Sequence, residues 1–210
     1  MVIFIPPLVW AGVAGVAVAG FIGKKVYDYC KKKDSESPTP AKTIFLTGES
    51  GVGKDTIYHI LKDGNFGTWD SSTKIEKYIF DIFDSKLCVI NTAGARHNDD
   101  ENIEARRDLP CGTNYIYVFN ASDYFTKAEI KEQVQMDLKT HKDMCSKNHW
   151  NLKIIGTHLD KCYNIERAEI DKLINEIGEK GKFKCQILDL TQFTNNEKQR
   201  NLYDLIVNEG

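Results

Sequence analysis

Thr43-Ile44-Phe45-Leu46-Thr47-Gly48-Glu49-Ser50-Gly51-Val52-Gly53-Lys54 places a strand signal directly before a phosphate-loop signal. Residues 43–47 are β-branched or apolar and run into a glycine, the pattern of a buried parallel strand. From Lys54 to Asp63 the apolar Ile57, Ile60 and Leu61 recur at helical spacing, so a helix is predicted to begin at the lysine. Between them lies Gly-x-x-x-x-Gly-Lys. Glycines in such a loop permit torsions that turn successive N–H groups toward one point, and the helix dipole adds positive potential there. Gly48, Glu49, Ser50, Gly51, Val52 and Gly53 are therefore expected to cradle phosphates, with Lys54 reaching the β- and γ-phosphates.

The position after the lysine departs from the usual pattern. Most such loops carry Ser or Thr there, whose hydroxyl ligates magnesium, whereas this chain has Asp55 followed by Thr56. A carboxylate can hold a hard cation, but it also puts negative charge beside the β-phosphate. Asp55 is an expected metal ligand, and Asp55 and Thr56 both join the expected phosphate site.

Downstream, strands and helices alternate. Tyr78–Asp84 and Lys86–Asn91 read as a hairpin, Asn114–Asn120 as a buried strand and Ala128–Lys147 as a long helix. Leu152–Thr157 is a further strand, Ile165–Lys180 a helix, Phe183–Leu190 a last strand and Asn196–Val207 a last helix. Alternation of this kind predicts a three-layer α/β domain over residues 42–210, with a six-stranded sheet made mixed by the hairpin.

Two further segments resemble signatures of the Ras-like, TRAFAC-class small GTPases. Asn91-Thr92-Ala93-Gly94 stands where that family has Asp-x-x-Gly on its third strand, and Thr157-His158-Leu159-Asp160 where it has Asn-Lys-x-Asp or Thr-Lys-x-Asp after its fifth. The resemblance extends over residues 42–210 and implies a P-loop NTPase fold, a small G domain that binds GTP or GDP with Mg2+. It implies that Asp160 accepts the N1 and N2 hydrogens of guanine, that His158 packs on the base in place of the lysine stem, and that Thr157 belongs to the same site. Gly94 is expected to offer its N–H to a γ-phosphate, and Thr73 to be the switch threonine and second metal ligand, with Thr68, Ser71 and Ser72 as rivals. Ala95 stands where the family has a water-orienting glutamine, so GTP hydrolysis is expected to be weak or absent. No catalytic residue is assigned. Arg96 to Pro110 is expected to be a mobile switch loop and the place where a protein partner engages.

Before residue 42 the composition changes. Residues 1–23 carry no charged side chain and are long enough for a helix of about 20 residues to cross a hydrocarbon core. Five lysines follow in the basic segment 24–33, and a Ser/Pro-rich linker completes residues 24–41. The expectation is one transmembrane helix, with the C-terminal domain cytoplasmic by the positive-inside rule. A cleaved secretory signal is the competing reading, weakened because the charges follow the apolar run. Ala11, Gly15, Ala19 and Gly23 form a small-residue stripe that would let two such helices approach as a homodimer.

The balance of 28 basic and 30 acidic residues, net −2, gives no whole-chain field that would favour nucleic acid. Six scattered cysteines lack zinc-site spacing. Two other functions remain open beside a GTPase-like switch or scaffold. One is a catalytically inactive pseudo-GTPase that acts as an interaction module, and the other a P-loop nucleotide or metabolite kinase.

Overall fold

The computed structural model describes residues 42–67, 74–94, 99–193 and 195–208. Ala41–Gly210 is one compact unit. Among the described residues it contains six strands, β1 Lys42–Thr47, β2 Glu76–Ile82, β3 Ser85–Asn91, β4 Asn114–Asn120, β5 Asn151–Thr157 and β6 Lys184–Ile187. The helices are α1 Lys54–Asp63, α2 Asp99–Arg107, α3 Ala121–Thr126, α4 Ala128–Asn148, α5 Arg167–Ile177 and α6 Asn196–Val207. The sheet order is β2-β3-β1-β4-β5-β6. Only β2 runs antiparallel to its neighbour; the other pairs are parallel.

Period-two alternation along the central strands fills both faces of the sheet. Ile44, Leu46, Ile116 and Val118 point to one side and pack with Ile57, Ile60 and Leu61 of α1 and Leu202 and Ile206 of α6. Phe45, Tyr115, Tyr117 and Phe119 point to the other, against Val134 and Leu138 of α4 and Ile170 and Leu173 of α5. The result is the predicted three-layer arrangement with a mixed six-stranded sheet.

Local chemistry sets the element ends. The β2–β3 turn is Phe83-Asp84, both left-handed (φ 45° and 62°), which is the two-residue geometry whose twist suits a hairpin. Phe83 is held there by Tyr203, ring centroids 5.5 Å apart, and by the Arg200 guanidinium 5.2 Å from its ring. At the far end of the sheet Lys153, buried on β5, donates to the carbonyls of Leu205 (3.2 Å), Ile206 (2.8 Å) and Asn208 (3.0 Å). A cation thereby satisfies carbonyls that the last turn of α6 cannot pair internally, at the negative end of its dipole.

Three expectations are corrected. Among the described residues no helix is long and apolar enough to cross a membrane. The longest, α4, has 21 residues but carries charges from Glu129 to Lys147, whereas a span needs about 20 predominantly apolar residues. The anticipated transmembrane helix over residues 1–23, its small-residue stripe and the basic segment 24–41 lie outside the described residues. The fold is therefore stated without a spanning helix, and the single-pass membrane placement with it falls. Second, Asp99–Arg107, expected as loop, is helical. Its apolar content is too low for a periodic signal, and it is anchored instead by the amide of buried Asn102, which donates to Ala93 O at 3.4 Å. Third, the strand expected to reach Leu190 stops at Ile187, and a short 3-10 turn spans Leu190–Gln192.

Replacing Lys153 by Met should keep its packing but leave the α6 carbonyls unpaired. We expect a loss of about 1–3 kcal/mol, read as a lower urea midpoint with an unchanged slope.

Candidate functional site

The phosphate loop is seated on the C-terminal edge of the sheet by close backbone approach. A Cβ on Gly48 would fall 2.1 Å from Val118 O on β4, so no other residue fits that position. Gly53, at φ 94°, is the N-cap of α1 and directs the loop into the helix. On the other side of the loop, a Cβ on Gly94 would meet Ser50 N and Cα at 2.4 Å. The segment after β3 thus rests directly on the loop.

Lys54 is buried, and its Nζ donates to the loop carbonyls of Gly48 (2.9 Å) and Glu49 (2.8 Å). Burial pushes its pKa down to about 8, against an upward pull from the nearby Asp55 and Glu49 carboxylates. Asp55, in the first turn of α1, accepts a 2.5 Å hydrogen bond from Asn91 Nδ2 at the end of β3. Since a carboxylate accepts only from donors, the Asn91 amide nitrogen must face it.

Thr157 is wholly buried at the end of β5, with Oγ1 2.7 Å from Val52 O and 3.2 Å from Phe119 O. Its single proton serves the nearer carbonyl, and the lone pair receives His158 Nδ1 at 2.8 Å, which sets the imidazole proton on Nδ1. Thr157, expected as part of the nucleotide site, ties β5 to the phosphate loop. His158 adopts a left-handed conformation (φ 59°). Burial first, then Lys161, holds its pKa below the usual value, with Asp160 pulling the other way, so the ring is neutral at pH 7.

A cavity of about 360 Å³ joins these parts. Gly51, Gly53, Asp55 and Thr56 line one end, and His158, Asp160 and Lys161 the other. Phe66, Gly67, Leu190 and Thr191 complete the wall. None of these four was singled out in the sequence, nor was Lys161. Phe66, an aromatic residue in a polar loop 12 positions after Lys54, is the one whose signal was legible. Leu190 and Thr191 carry none, because it is the fold of the segment after β6 that brings them in. There Asp189 Oδ1 accepts from Thr191 N at 3.0 Å and shapes the turn. A cavity of about 450 Å³ elsewhere, lined by Leu138, Lys142, Cys145, Trp150 and Phe183, contains no loop glycine and no motif residue. Size alone therefore does not choose the site. Thr68, Ser71, Ser72, Thr73, Ala95, Arg96 and His97 lie outside the described residues, so the threonine metal ligand and the switch chemistry are not placed.

Beyond Gly94 a second hollow of about 480 Å³ opens between α2 and α4, with Glu49, Asn102, Ile103, Arg106 and Met136 in its wall. Ile103 and Met136 stand exposed on it, 51% and 67% accessible.

No family model and no curated protein matches the chain. Among solved structures, a chain from the structure of the mammalian SRP receptor is similar, with a TM-score of 0.56 over 78% of this chain and 99% of that one. Its sequence identity is 12%, so the likeness speaks for the fold. The protein shares the α/β fold of that chain, with a mixed six-stranded sheet among the described residues.

The Lys54 ammonium gives a direct test of this electrostatic picture. Titration of its 13Cε signal should have a midpoint near pH 8, and Asp55→Asn, by removing a negative neighbour, should move it lower. Folding stability should rise between pH 8 and the unfolded value of 10.5, because only the unfolded chain then keeps the proton; below 8 the burial cost is present in full.

Proposed function

We propose that the chain is a guanine-nucleotide-binding protein, a GTPase-like switch or scaffold that takes GTP or GDP with magnesium and hydrolyses GTP weakly or not at all. What carries this reading is the cavity that runs from the phosphate-loop glycines to Asp160 and His158. Lys54 and the loop amides hold the phosphates. Asp160 accepts two hydrogens from guanine, which adenine lacks. The neutral His158 ring and Phe66 flank the base as apolar surfaces. Asp55 ligates the metal, and the donor set suits magnesium: one carboxylate, and among the described residues no group of three His, Cys, Asp or Glu. Magnesium is commonly held by one or two carboxylates together with substrate phosphates. Ala95 follows Gly94, and a methyl group cannot orient an attacking water. A protein partner is proposed for the 96–110 region, where Ile103 stands exposed on the second hollow, with Met136 of α4 in the same wall.

One observation favours a second reading, an interaction module without nucleotide. Lys54 Nζ donates to two loop carbonyls, bonds that would hold the loop's shape in such a module.

Binding of fluorescent GTP and ATP to the full chain separates the two. We expect GTP to bind more tightly than ATP. Lys54→Ala should weaken both at least about tenfold, through the loss of charge-assisted hydrogen bonds. Asp160→Ala should weaken GTP by about 10–100-fold and leave ATP nearly unchanged. Equal losses for both nucleotides would sink the guanine assignment, and no binding of either would establish the module. Affinity should also fall as pH rises past 8, by at most about tenfold per unit, as Lys54 of the free protein loses its proton.

A further inference from the structure

We propose that Asp55 and Asn91 divide the metal-site chemistry in reverse, so that this site accepts a nucleotide as its magnesium complex and rejects the metal-free nucleotide. The inference rests on the nucleotide-binding reading and deepens it. Phosphate loops of this pattern place a neutral hydroxyl after the lysine. Here that position carries the carboxylate, and the end of β3 carries a neutral amide. The two side chains meet, with Asn91 Nδ2 2.5 Å from Asp55 Oδ1.

The direction of the exchange matters because the two residues do not face the same space. Asn91 is completely buried and forms no part of the cavity wall. Asp55 lines the cavity beside Gly51, Gly53 and Thr56, at the N-terminus of α1. The negative charge therefore stands on the ligand side of the pair. The Asn91 amide fixes the plane of the Asp55 carboxylate.

Two consequences follow. Without a divalent cation, incoming phosphates meet a fixed carboxylate in a partly enclosed cavity, where like charges repel more strongly than in water. Lys54 offsets one negative charge, and a nucleoside diphosphate brings more than one. With magnesium between them, the carboxylate and the phosphate oxygens ligate the same ion and the repulsion becomes a shared attraction. A hydroxyl in place of Asp55 would be nearly indifferent to the metal-free nucleotide. The cation thus acts as an entry condition as well as a ligand.

The test is equilibrium binding of fluorescent GDP to the full chain in excess magnesium and in excess EDTA, for the native protein, Asp55→Ser, Asp55→Asn and Asp55→Ser/Asn91→Asp. The native protein should lose at least about 100-fold in affinity on removing magnesium. Asp55→Ser and Asp55→Asn should each bind metal-free GDP at least about tenfold more tightly than the native protein does. The double variant, which returns the carboxylate to the strand, should share that gain and retain binding in magnesium. Asp55→Asn keeps the side-chain volume and reads the charge effect should the serine variant fold poorly. Native binding in magnesium, with no gain for any Asp55 variant in EDTA, would overturn the proposal alone. No GDP binding by the native protein in magnesium would overturn the nucleotide reading and this proposal together.

Discussion

The hydrogen bond from the Thr157 hydroxyl to the Val52 carbonyl couples the phosphate loop to the end of β5, and the candidate site depends on that coupling. A glycine-rich loop has little side-chain packing of its own, so its shape must be imposed from outside. Three contacts impose it. Val118 O closes on Gly48 where no Cβ intervenes, Gly94 abuts Ser50, and Thr157 pulls in Val52 from the β5 side. Each comes from a different strand end. The strand order explains why they converge. From β1 the chain passes outward to β2 and β3 and then returns across to β4, so the loop after β1 lies at the point where the order reverses. In open parallel sheets that crevice, at the carboxyl ends of the strands, is where ligands are held.

Much of this was legible in the sequence for a physical reason. The central strands are buried on both faces, and the continuous apolar runs of β1 and β4 admit little else. Asn114–Asn120 and Asn196–Val207 match their sequence boundaries because each helix or strand there ends on a strong local signal. The misses share the opposite property. Asp99–Arg107 is polar on most sides, and Ala121–Thr126 is six residues capped by the Asn120 side chain, which accepts from Asp123 N. Neither is long enough, or amphipathic enough, for periodicity to register. At the site, the motif residues were found because their spacing along the chain is informative. Leu190, Thr191 and Lys161 were not, since only the fold brings them to the cavity. Thr157 shows a subtler limit: the sequence marks the position as special and does not say whether it faces the ligand or the scaffold.

Holding a nucleotide and hydrolysing one place different demands on such a site. Holding needs converging donors, a cation and a shaped base cavity, all of which can be static. Hydrolysis needs a water aligned with the bond to be broken, supplied by a residue that comes into place when the third phosphate is present. On the proposed reading the described residues would supply the first set: loop amides, Lys54, Asp55 and the wall formed by Asp160, His158 and Phe66. Ala95 supplies nothing to the second. On that reading the chain is suited to persist in a bound state more than to cycle quickly.

The electrostatics of the loop bear on the same reading by a separate route. Lys54 is the cation that should draw phosphate in, yet burial has brought its pKa to about 8 and its ammonium is occupied by two carbonyls. The charged side chains nearest to it are the Asp55 and Glu49 carboxylates, which stabilise its proton but repel a polyanion. A phosphate must therefore break the lysine's internal bonds and face two negative groups, with the loop amides and the α1 dipole as its chief compensation. Peptide dipoles of that kind are matched to roughly half an elementary charge at a helix end, less than a diphosphate carries. On the proposed reading the remaining charge comes from outside the chain, from a divalent cation at Asp55, whose carboxylate the Asn91 amide holds in place.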